Sequence, residues 1–150
     1  MVQLRRTTGD DPEFLLLVGK LSATLAILNG EMDSFYSQNN SVEGVPTVVV
    51  AAIDCLPVGC GAFRSVSDGQ VEIKRMFVEP EFRGNGISRR VLAELESWAA
   101  ELGANTAVLE TSRRLLPAVS LYASSGYSVI PNYEPYAGIE DSVCMEKSLA

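Results

Sequence analysis

Histidine is absent from the 150-residue chain. This absence excludes the Ser-His-Asp triad, the Cys-His nucleophile and every metal site with a histidine ligand. Cysteine is scarce, and Cys55, Cys60 and Cys144 alone fall short of the roughly four ligands of an ordinary zinc site. We interpret the cysteines as small packing residues in a reducing cytoplasm, and we expect no metal.

Basic residues and long apolar runs are also few. The 12 Lys and Arg against 19 Asp and Glu give a net charge of -7, which argues against a nucleic-acid partner. The start of the chain holds no apolar segment of signal-peptide length. The longest apolar stretch, near VPTVVVAAI, is far shorter than the roughly 20 residues that span a bilayer. We therefore predict a soluble, cytoplasmic protein with no membrane partner.

Length and composition indicate a single domain over residues 1–150. An apolar content of 47% with 21% charged residues is typical of a globular chain. At this length folding buries roughly two-thirds of the unfolded surface, so a core forms without a disulfide or metal. The sequence shows no repeat, low-complexity tract or linker that would separate a second domain.

The first half of the chain predicts a strand, a helix and a three-strand meander. Residues 2–7 alternate like an edge strand, and GDDPEF then caps an amphipathic helix that runs to Gly30. The apolar positions of this helix are Leu15, Leu16, Val18, Leu21, Leu25 and Leu28. Residues 31–46 lack either period and are interpreted as a loop or a broken second helix. Residues 47–80 then alternate as three antiparallel strands with short turns.

The second half alternates helices with strands. A helix is predicted from about Gly86 to Leu102, with one apolar stripe formed by Ile87, Val91, Leu92, Leu95, Trp98 and Leu102. NTAVLET, PAVSLYASS, YSVIP and SVCMEKSL follow as strand, short helix, strand and strand. Two β-helix-β steps after a meander require a sheet that is partly parallel. The fold class is therefore α/β, with a mixed, mostly antiparallel sheet flanked by helices.

The string MFVEPEFRGNGISRRVL, residues 76–92, predicts an anion site. A strand ends at Pro80, a turn rich in Gly and Arg follows, and a strongly periodic helix begins at once. Free backbone N–H groups at a helix start bind phosphates without side chains. Gly84 and Gly86 allow close approach, and Arg83, Arg89 and Arg90 add positive charge. We therefore expect a diphosphate-bearing ligand at this turn.

Two nucleotide motifs fit this turn poorly. A mononucleotide P-loop needs GxxxxGK[ST], whose lysine and hydroxyl are missing. A dinucleotide fold needs GxGxxG, but Arg89 stands where the third glycine packs. A dinucleotide ligand such as NAD is kept as the lesser alternative.

Two linked motifs resemble the GNAT superfamily of N-acyltransferases. RGNGIS is similar to the [RQ]xxGx[GA] turn that seats the pyrophosphate of acyl-coenzyme A, and EIKRMFVEPEF resembles the central strand. ETSRRLLPAVSLYASSGY resembles the second motif, NxxAxxLYxxxGF, and the tail PNYEPYAGIEDSVCMEKSL resembles the closing strands of one bacterial branch. Ser88 replaces the usual Gly or Ala, and Leu115 replaces an asparagine that contacts the pantetheine arm in many members.

The resemblance implies a role for each matched position. Backbone N–H groups near Met76, Phe77 and Val78 correspond to those that bind the acyl carbonyl, and Tyr122 corresponds to the acid that protonates the departing sulfur. The turn after the central strand corresponds to the pyrophosphate-binding site. The residues of this turn are Arg83, Gly84, Asn85, Gly86, Ile87 and Ser88.

The base that deprotonates the amine is less defined by the motifs. Glu72 is the first candidate because it lies on the predicted central strand and shares a face with Lys74 and Met76 under simple alternation. Glu110 and water are the alternatives. Tyr133 and Tyr136, between strands, either line an acceptor pocket or belong to a rigid surface loop.

From these motifs we predict a single domain of the GNAT type. We expect an N-acetyltransferase that moves acetyl from acetyl-coenzyme A to a primary amine of a small molecule or peptide, by direct attack in a ternary complex. Acetyl is chosen because it is the commonest donor in the superfamily, and a homodimer is common among similar proteins. A non-catalytic module that binds or senses acyl-coenzyme A is the main alternative.

Overall fold

A computed structural model of the chain describes residues 1–39 and 45–150. These residues form the helices and strands β1 (Val2–Thr7), α1 (Pro12–Asn29), α2 (Asp33–Asn39), β2 (Val48–Ile53), β3 (Leu56–Ser67), β4 (Gln70–Val78), α3 (Ile87–Glu101), β5 (Thr106–Ser112), α4 (Leu116–Ser124), β6 (Ser128–Ile130) and β7 (Ser142–Ser148). Single turns of 3₁₀ helix, Gly30–Met32 and Pro80–Phe82, stand before α2 and α3. The predicted order of strands and helices is confirmed.

Two compact units alternate along the sequence. The first comprises Met1–Arg64 and Lys74–Leu95, and the second comprises Ser65–Ile73 and Glu96–Ala150. β3, β4 and α3 each contribute residues to both units. The single domain over residues 1–150 stays a prediction.

The first unit is an antiparallel arrangement with its own core. β1 pairs with β2 from Val2↔Ile53 to Thr7↔Val48, and β2 pairs with β3 with an irregularity at Ala51 and Ala52. β1 lies at the edge of the sheet, as the alternating segment predicted. The core cluster joins α1 to the strands and consists of Phe14, Leu17, Val48, Val50, Cys60, Ala62 and Phe77.

The ends of α1 follow the predicted capping signals. Asp11 accepts hydrogen bonds from the backbone N–H groups of Glu13 at 2.9 Å and Phe14 at 3.3 Å, and Pro12 occupies the first turn. Gly30 ends the helix with a φ of 53°, a conformation that favours glycine. These local signals are confirmed by the structure.

The predicted apolar stripe of α1 needs correction. Phe14 and Leu17 are fully buried, whereas Leu15 is 53% exposed and Leu16 is 55% exposed. Val18 and Leu21 pack against the core cluster, so the contact strip follows the spacing 14, 17, 18 and 21. The error arises because the helix is apolar on several sides, and periodicity alone does not select the buried one.

The helical segment Pro12–Gln38, which joins α1 to α2, is 27 residues long and longer than the apolar stretch near VPTVVVAAI. Among residues 1–39 and 45–150 it is the one helical segment whose length and composition would allow it to cross a membrane. Core helices and signal sequences share these properties. The absence of a membrane partner therefore stays a prediction.

The predicted broken helix after Gly30 is confirmed as far as it is described. The 3₁₀ turn and α2 occupy the segment, and Tyr36 is buried there. The rest of the predicted loop, residues 40–44, lies outside the described residues.

The second unit contains the parallel pairing. β4 pairs with β5 in parallel from Gln70↔Thr106 to Glu72↔Val108, whereas β5 and β6 both pair with β7 in antiparallel fashion. β7 therefore lies between β5 and β6, and hydrogen-bonded neighbours follow the order β1-β2-β3-β4-β5-β7-β6. The mixed, mostly antiparallel sheet is confirmed.

The apolar stripe of α3 is confirmed over its first turns and wrong at its end. Ile87, Val91, Leu92 and Leu95 are buried, but Leu102 is 65% exposed and Trp98 is half-buried. Ala99 is fully buried instead. The helix ends at Glu101, so Leu102 no longer follows the helical period.

Candidate functional site

The turn between β4 and α3 requires its two glycines. Gly84 has a φ of 82° and Gly86 a φ of 76°, a region that other residues rarely adopt. Apart from its chain neighbours, no heavy atom of residues 1–39 and 45–150 lies within 4 Å of the place where a Cβ would stand on either glycine. Open space therefore faces the backbone at both positions.

The backbone N–H groups from Gly84 to Ser88 have no acceptor among residues 1–39 and 45–150. The first hydrogen bond of α3 runs from the Arg90 N–H to the Gly86 carbonyl at 3.1 Å. These free donors stand at the positive end of a helix of 15 residues. The turn therefore has the donors that an anion site requires.

Two side chains of the turn, Arg83 and Asn85, hydrogen-bond to nearby backbone carbonyls. Arg83 donates through Nε to the Val78 carbonyl at 2.9 Å, and its Cζ lies 5.8 Å from the centre of the Phe77 ring. The Asn85 amide donates to the Phe82 carbonyl at 3.0 Å. Ile87 is 2% exposed. Arg83 and Asn85 therefore shape the backbone, which is a role that the charge pattern did not indicate.

The end of β4 carries the residues predicted to bind the acyl carbonyl. Phe77 and Val78 are buried and Met76 is half-buried. Arg75 precedes them with a φ of 58° inside the strand, and its carbonyl accepts from the Cys60 thiol at 3.5 Å. A left-handed residue within a strand disrupts regular pairing and redirects the neighbouring peptide groups.

Arg75 is a residue that the sequence prediction missed. Its guanidinium donates to the Val18 carbonyl at 3.3 Å and to the Ser22 hydroxyl, so it joins α1 to the irregular part of β4. Burial lowers the pKa of Arg75. Arginine has no preference for a positive φ, so no signal in the sequence marks this position.

Tyr122 lies in the second unit, near the end of α4. The side chain is 7% exposed, and its ring meets the Tyr127 ring edge-on at 5.9 Å between centres. Burial and the charge of Glu110 raise the pKa of Tyr122, so the phenol stays protonated at neutral pH.

Glu72 lies in the second unit on the first part of β4. It is only 2% exposed, and the Tyr133 hydroxyl donates to its Oε2 at 2.8 Å. The strand register places Glu72, Glu110 and Cys144 on the same face. Burial and then the Glu72 charge raise the pKa of Tyr133.

The loop that carries Tyr133 is partly buried, so the interpretation of Tyr133 and Tyr136 as residues of a surface loop is wrong for Tyr136. Tyr136 is 1% exposed, and the two rings meet edge-on with 5.8 Å between centres. Asn132, which the sequence prediction did not single out, donates to three backbone carbonyls of this loop and of β7.

The predicted site residues fall into two groups. Met76 to Val78 and Arg83 to Ser88 lie together in the first unit, and Glu72 and Tyr122 belong to the second.

The whole chain has the fold of an acyl-coenzyme A N-acyltransferase. A solved Klebsiella pneumoniae structure described by that name superimposes with a TM-score of 0.84 and 27% identity, covering 100% of this chain and 99% of that one. The PaiA N-acetyltransferase of Thermoplasma acidophilum, in complex with coenzyme A, superimposes with a TM-score of 0.75 and 18% identity over 99% of both chains.

Residues 23–127 match the model of the acetyltransferase (GNAT) family, and the chain belongs to that family. It is similar to an IAA acetyltransferase of Azospirillum brasilense, with 38% identity over 93 residues. That match covers 61% of this chain and 61% of the relative, so the chain spans less than two-thirds of that protein.

Proposed function

We propose that this protein is an acetyl-coenzyme A dependent N-acetyltransferase acting on a primary amine of a small molecule or peptide. The observation that carries the proposal is the row of backbone N–H groups from Gly84 to Ser88, which the described residues leave without acceptors. Family membership and the structural neighbour in complex with coenzyme A support the same ligand.

The turn fits a diphosphate on chemical grounds. Phosphate oxygens accept hydrogen bonds from consecutive N–H groups, and the missing Cβ atoms of Gly84 and Gly86 leave room for them. Arg83, Arg89 and Arg90 are exposed around the turn, in a chain whose net charge is -7. This local positive charge favours an anionic ligand at the turn over other parts of the surface.

Two side chains account for both proton transfers of the acyl transfer. The amine nitrogen forms a bond to the acyl carbon, its N–H proton passes to the Glu72 carboxylate, and the carbon–sulfur bond breaks. The departing sulfur takes a proton from the Tyr122 hydroxyl. Solvent then returns the proton from Glu72 to Tyr122, which restores both groups. Backbone donors near Met76, Phe77 and Val78 stabilise the oxyanion between these steps.

Direct attack on the thioester is favoured over an acyl-enzyme on cysteine. Cys60 and Cys144 are fully buried, and burial raises the pKa of the Cys60 thiol to about 12. Burial also raises the pKa of Cys144. A thiol in its neutral form is a poor nucleophile, so neither residue suits a covalent intermediate. We place the enzyme in the cytoplasm, since all three cysteines are free thiols.

A panel of amines tests the function by the release of free thiol from acetyl-coenzyme A. We expect turnover with at least one amine, and a fall in kcat of about a hundredfold in Tyr122→Phe with little change in KM for acetyl-coenzyme A. Glu110→Gln tests the alternative base and should keep most of the activity. Coenzyme A affinity without turnover would instead identify a binding module.

A paired substitution tests the turn as the coenzyme site. Gly86→Ala forces a side chain into a left-handed conformation at the turn, and Gly103→Ala, with a φ of 99° and open space, does so after α3. Both should lower stability by about 1 kcal/mol, but only Gly86→Ala should weaken coenzyme A binding in calorimetry. A thermal shift larger with NAD than with coenzyme A would contradict the proposal.

A further inference from the structure

We propose that Tyr133 is a positioning residue that orients the Glu72 carboxylate for the transfer reaction. This inference rests on the proposed function and deepens it by assigning a second residue to the amine side of the site. Its basis is the hydrogen bond from Tyr133 to Glu72, the burial of the carboxylate and the way the loop holds the phenol.

The carboxylate needs such a partner because of where it lies. Glu72 is 2% exposed, and a buried carboxylate loses the hydration that stabilises its charge. The Tyr133 hydroxyl, 2.8 Å from Oε2, replaces part of that hydration and restricts the rotation of the carboxylate. A base held ready in one orientation reacts without reorganisation.

The loop between β6 and β7 holds Tyr133 in place. The Asn132 Nδ2 atom donates to the carbonyls of Tyr136 at 3.2 Å, Ile139 at 3.1 Å and Ser142 at 2.9 Å. The Tyr136 N–H also donates to the Tyr133 carbonyl at 2.7 Å. With the Tyr136 ring packed edge-on against it, the phenol has little freedom to leave Glu72.

Three further titratable groups near this pair come from separate elements. Glu110 lies on β5, Cys144 on β7 and Tyr136 on the loop. Cys144 remains a neutral thiol at neutral pH because its pKa is raised. Tyr133 itself stays protonated because burial and the Glu72 charge raise its pKa, so it acts as the donor.

Tyr133→Phe tests the inference by removing one hydroxyl and keeping the ring. Loss of the donor leaves the carboxylate free to rotate away from the orientation that the reaction needs. We expect about a tenfold fall in kcat/KM for the amine at neutral pH. KM for acetyl-coenzyme A should not change.

Tyr127→Phe is the matched control. The Tyr127 hydroxyl donates to Glu96 Oε2 at 2.8 Å, so this variant also loses a phenol–carboxylate hydrogen bond in the same unit. Its kcat/KM for the amine should match that of the wild-type protein. A fall of equal size in both variants would indicate a general structural effect and would overturn the inference.

Glu72→Gln supplies the second measurement, which holds even where Tyr133→Phe folds poorly. This variant should lower kcat/KM for the amine at least about tenfold, and adding Tyr133→Phe to it should lower kcat/KM no further. A wild-type kcat/KM in Glu72→Gln or in a folded Tyr133→Phe overturns the inference while the transferase function stands. A wild-type protein without turnover on any amine overturns the proposed function itself, and the inference with it.

Discussion

The Arg83 Nε atom donates to the carbonyl oxygen of Val78 at 2.9 Å, so the first residue of the glycine turn is bound to the last residue of β4. This bond fixes where the free N–H groups of the turn stand relative to the end of the strand. Arg83 therefore contributes geometry in addition to charge.

Two substitutions of Arg83 separate these contributions. Arg83→Lys keeps the positive charge but has no Nε donor in the same position, and Arg83→Ala removes both. We expect both variants to raise the Kd for coenzyme A about tenfold in calorimetry, since the loss of the turn geometry dominates. Wild-type affinity in Arg83→Lys would show that only the charge matters.

The strands, the helices and the glycine turn after β4 could be predicted because their signals are local. Asp11, Pro12 and Gly30 marked the ends of α1, and Gly84 and Gly86 marked the turn by residue type alone. The insertion of β7 between β5 and β6 could not be predicted, because strand order depends on pairing between distant segments.

The surroundings of Glu72 and Arg75 could not be predicted from the sequence either. The hydrogen bond between Glu72 and Tyr133 joins residues 61 positions apart, and neither residue type indicates the other. Arg75 adopts a positive φ that its side chain does not favour, and its guanidinium hydrogen-bonds to Val18 and Ser22, which are distant in sequence. Such features arise from tertiary contacts that outweigh local preference.

Two glycines of the first unit should respond to alanine in opposite directions. A Cβ on Gly61 of β3 would stand 2.5 Å from the Met76 Sδ and 2.8 Å from a Leu95 methyl group, whereas a Cβ on Gly19 of α1 would meet nothing within 4 Å. Gly61→Ala should lower the free energy of unfolding by about 1–3 kcal/mol through overpacking. Gly19→Ala should raise it by up to about 1 kcal/mol through helix propensity.

Chemical denaturation measures both changes. The slope of the free energy against denaturant should stay constant, which would confirm that each variant changes stability alone. A Gly61→Ala variant as stable as the wild-type protein would show that the packing between β3, β4 and α3 is looser than these distances imply.

Asp11 should make the stability depend on acid pH. The hydrogen bond from Arg5 is the largest effect that holds the pKa of Asp11 well below its usual range, and Thr7 and the N–H of Phe14 add to it. A depressed folded pKa means that its stabilisation is present above the unfolded pKa of about 4 and is lost as the pH falls further.

Asp11→Asn keeps an acceptor for the helix N-terminus but removes the charge. At neutral pH the variant should melt at a lower temperature than the wild-type protein, and the difference should shrink as the pH falls from about 5 to about 3. Melting curves across this range measure the effect. Glu31→Gln, at an exposed position, serves as the control and should leave the pH dependence unchanged.

Cys55 should be the thiol that reacts in the native protein. It is exposed in the turn between β2 and β3, whereas Cys60 and Cys144 are fully buried and burial raises both pKa values. An aromatic disulfide reagent should therefore titrate about one thiol rapidly in the native protein and about three after denaturation. Cys60 and Cys144 should react at least about a hundredfold more slowly than Cys55.

Cys55→Ser should abolish the rapid phase and leave the acetyltransferase activity unchanged, because direct transfer uses no protein thiol. The same variant removes the background in the thiol-release assay. Rapid modification of a second thiol in native Cys55→Ser would show that Cys60 or Cys144 is accessible and activated. Acyl transfer through a cysteine would then have to replace direct attack, and trapping of acyl-protein with radiolabelled acetyl-coenzyme A would decide between them.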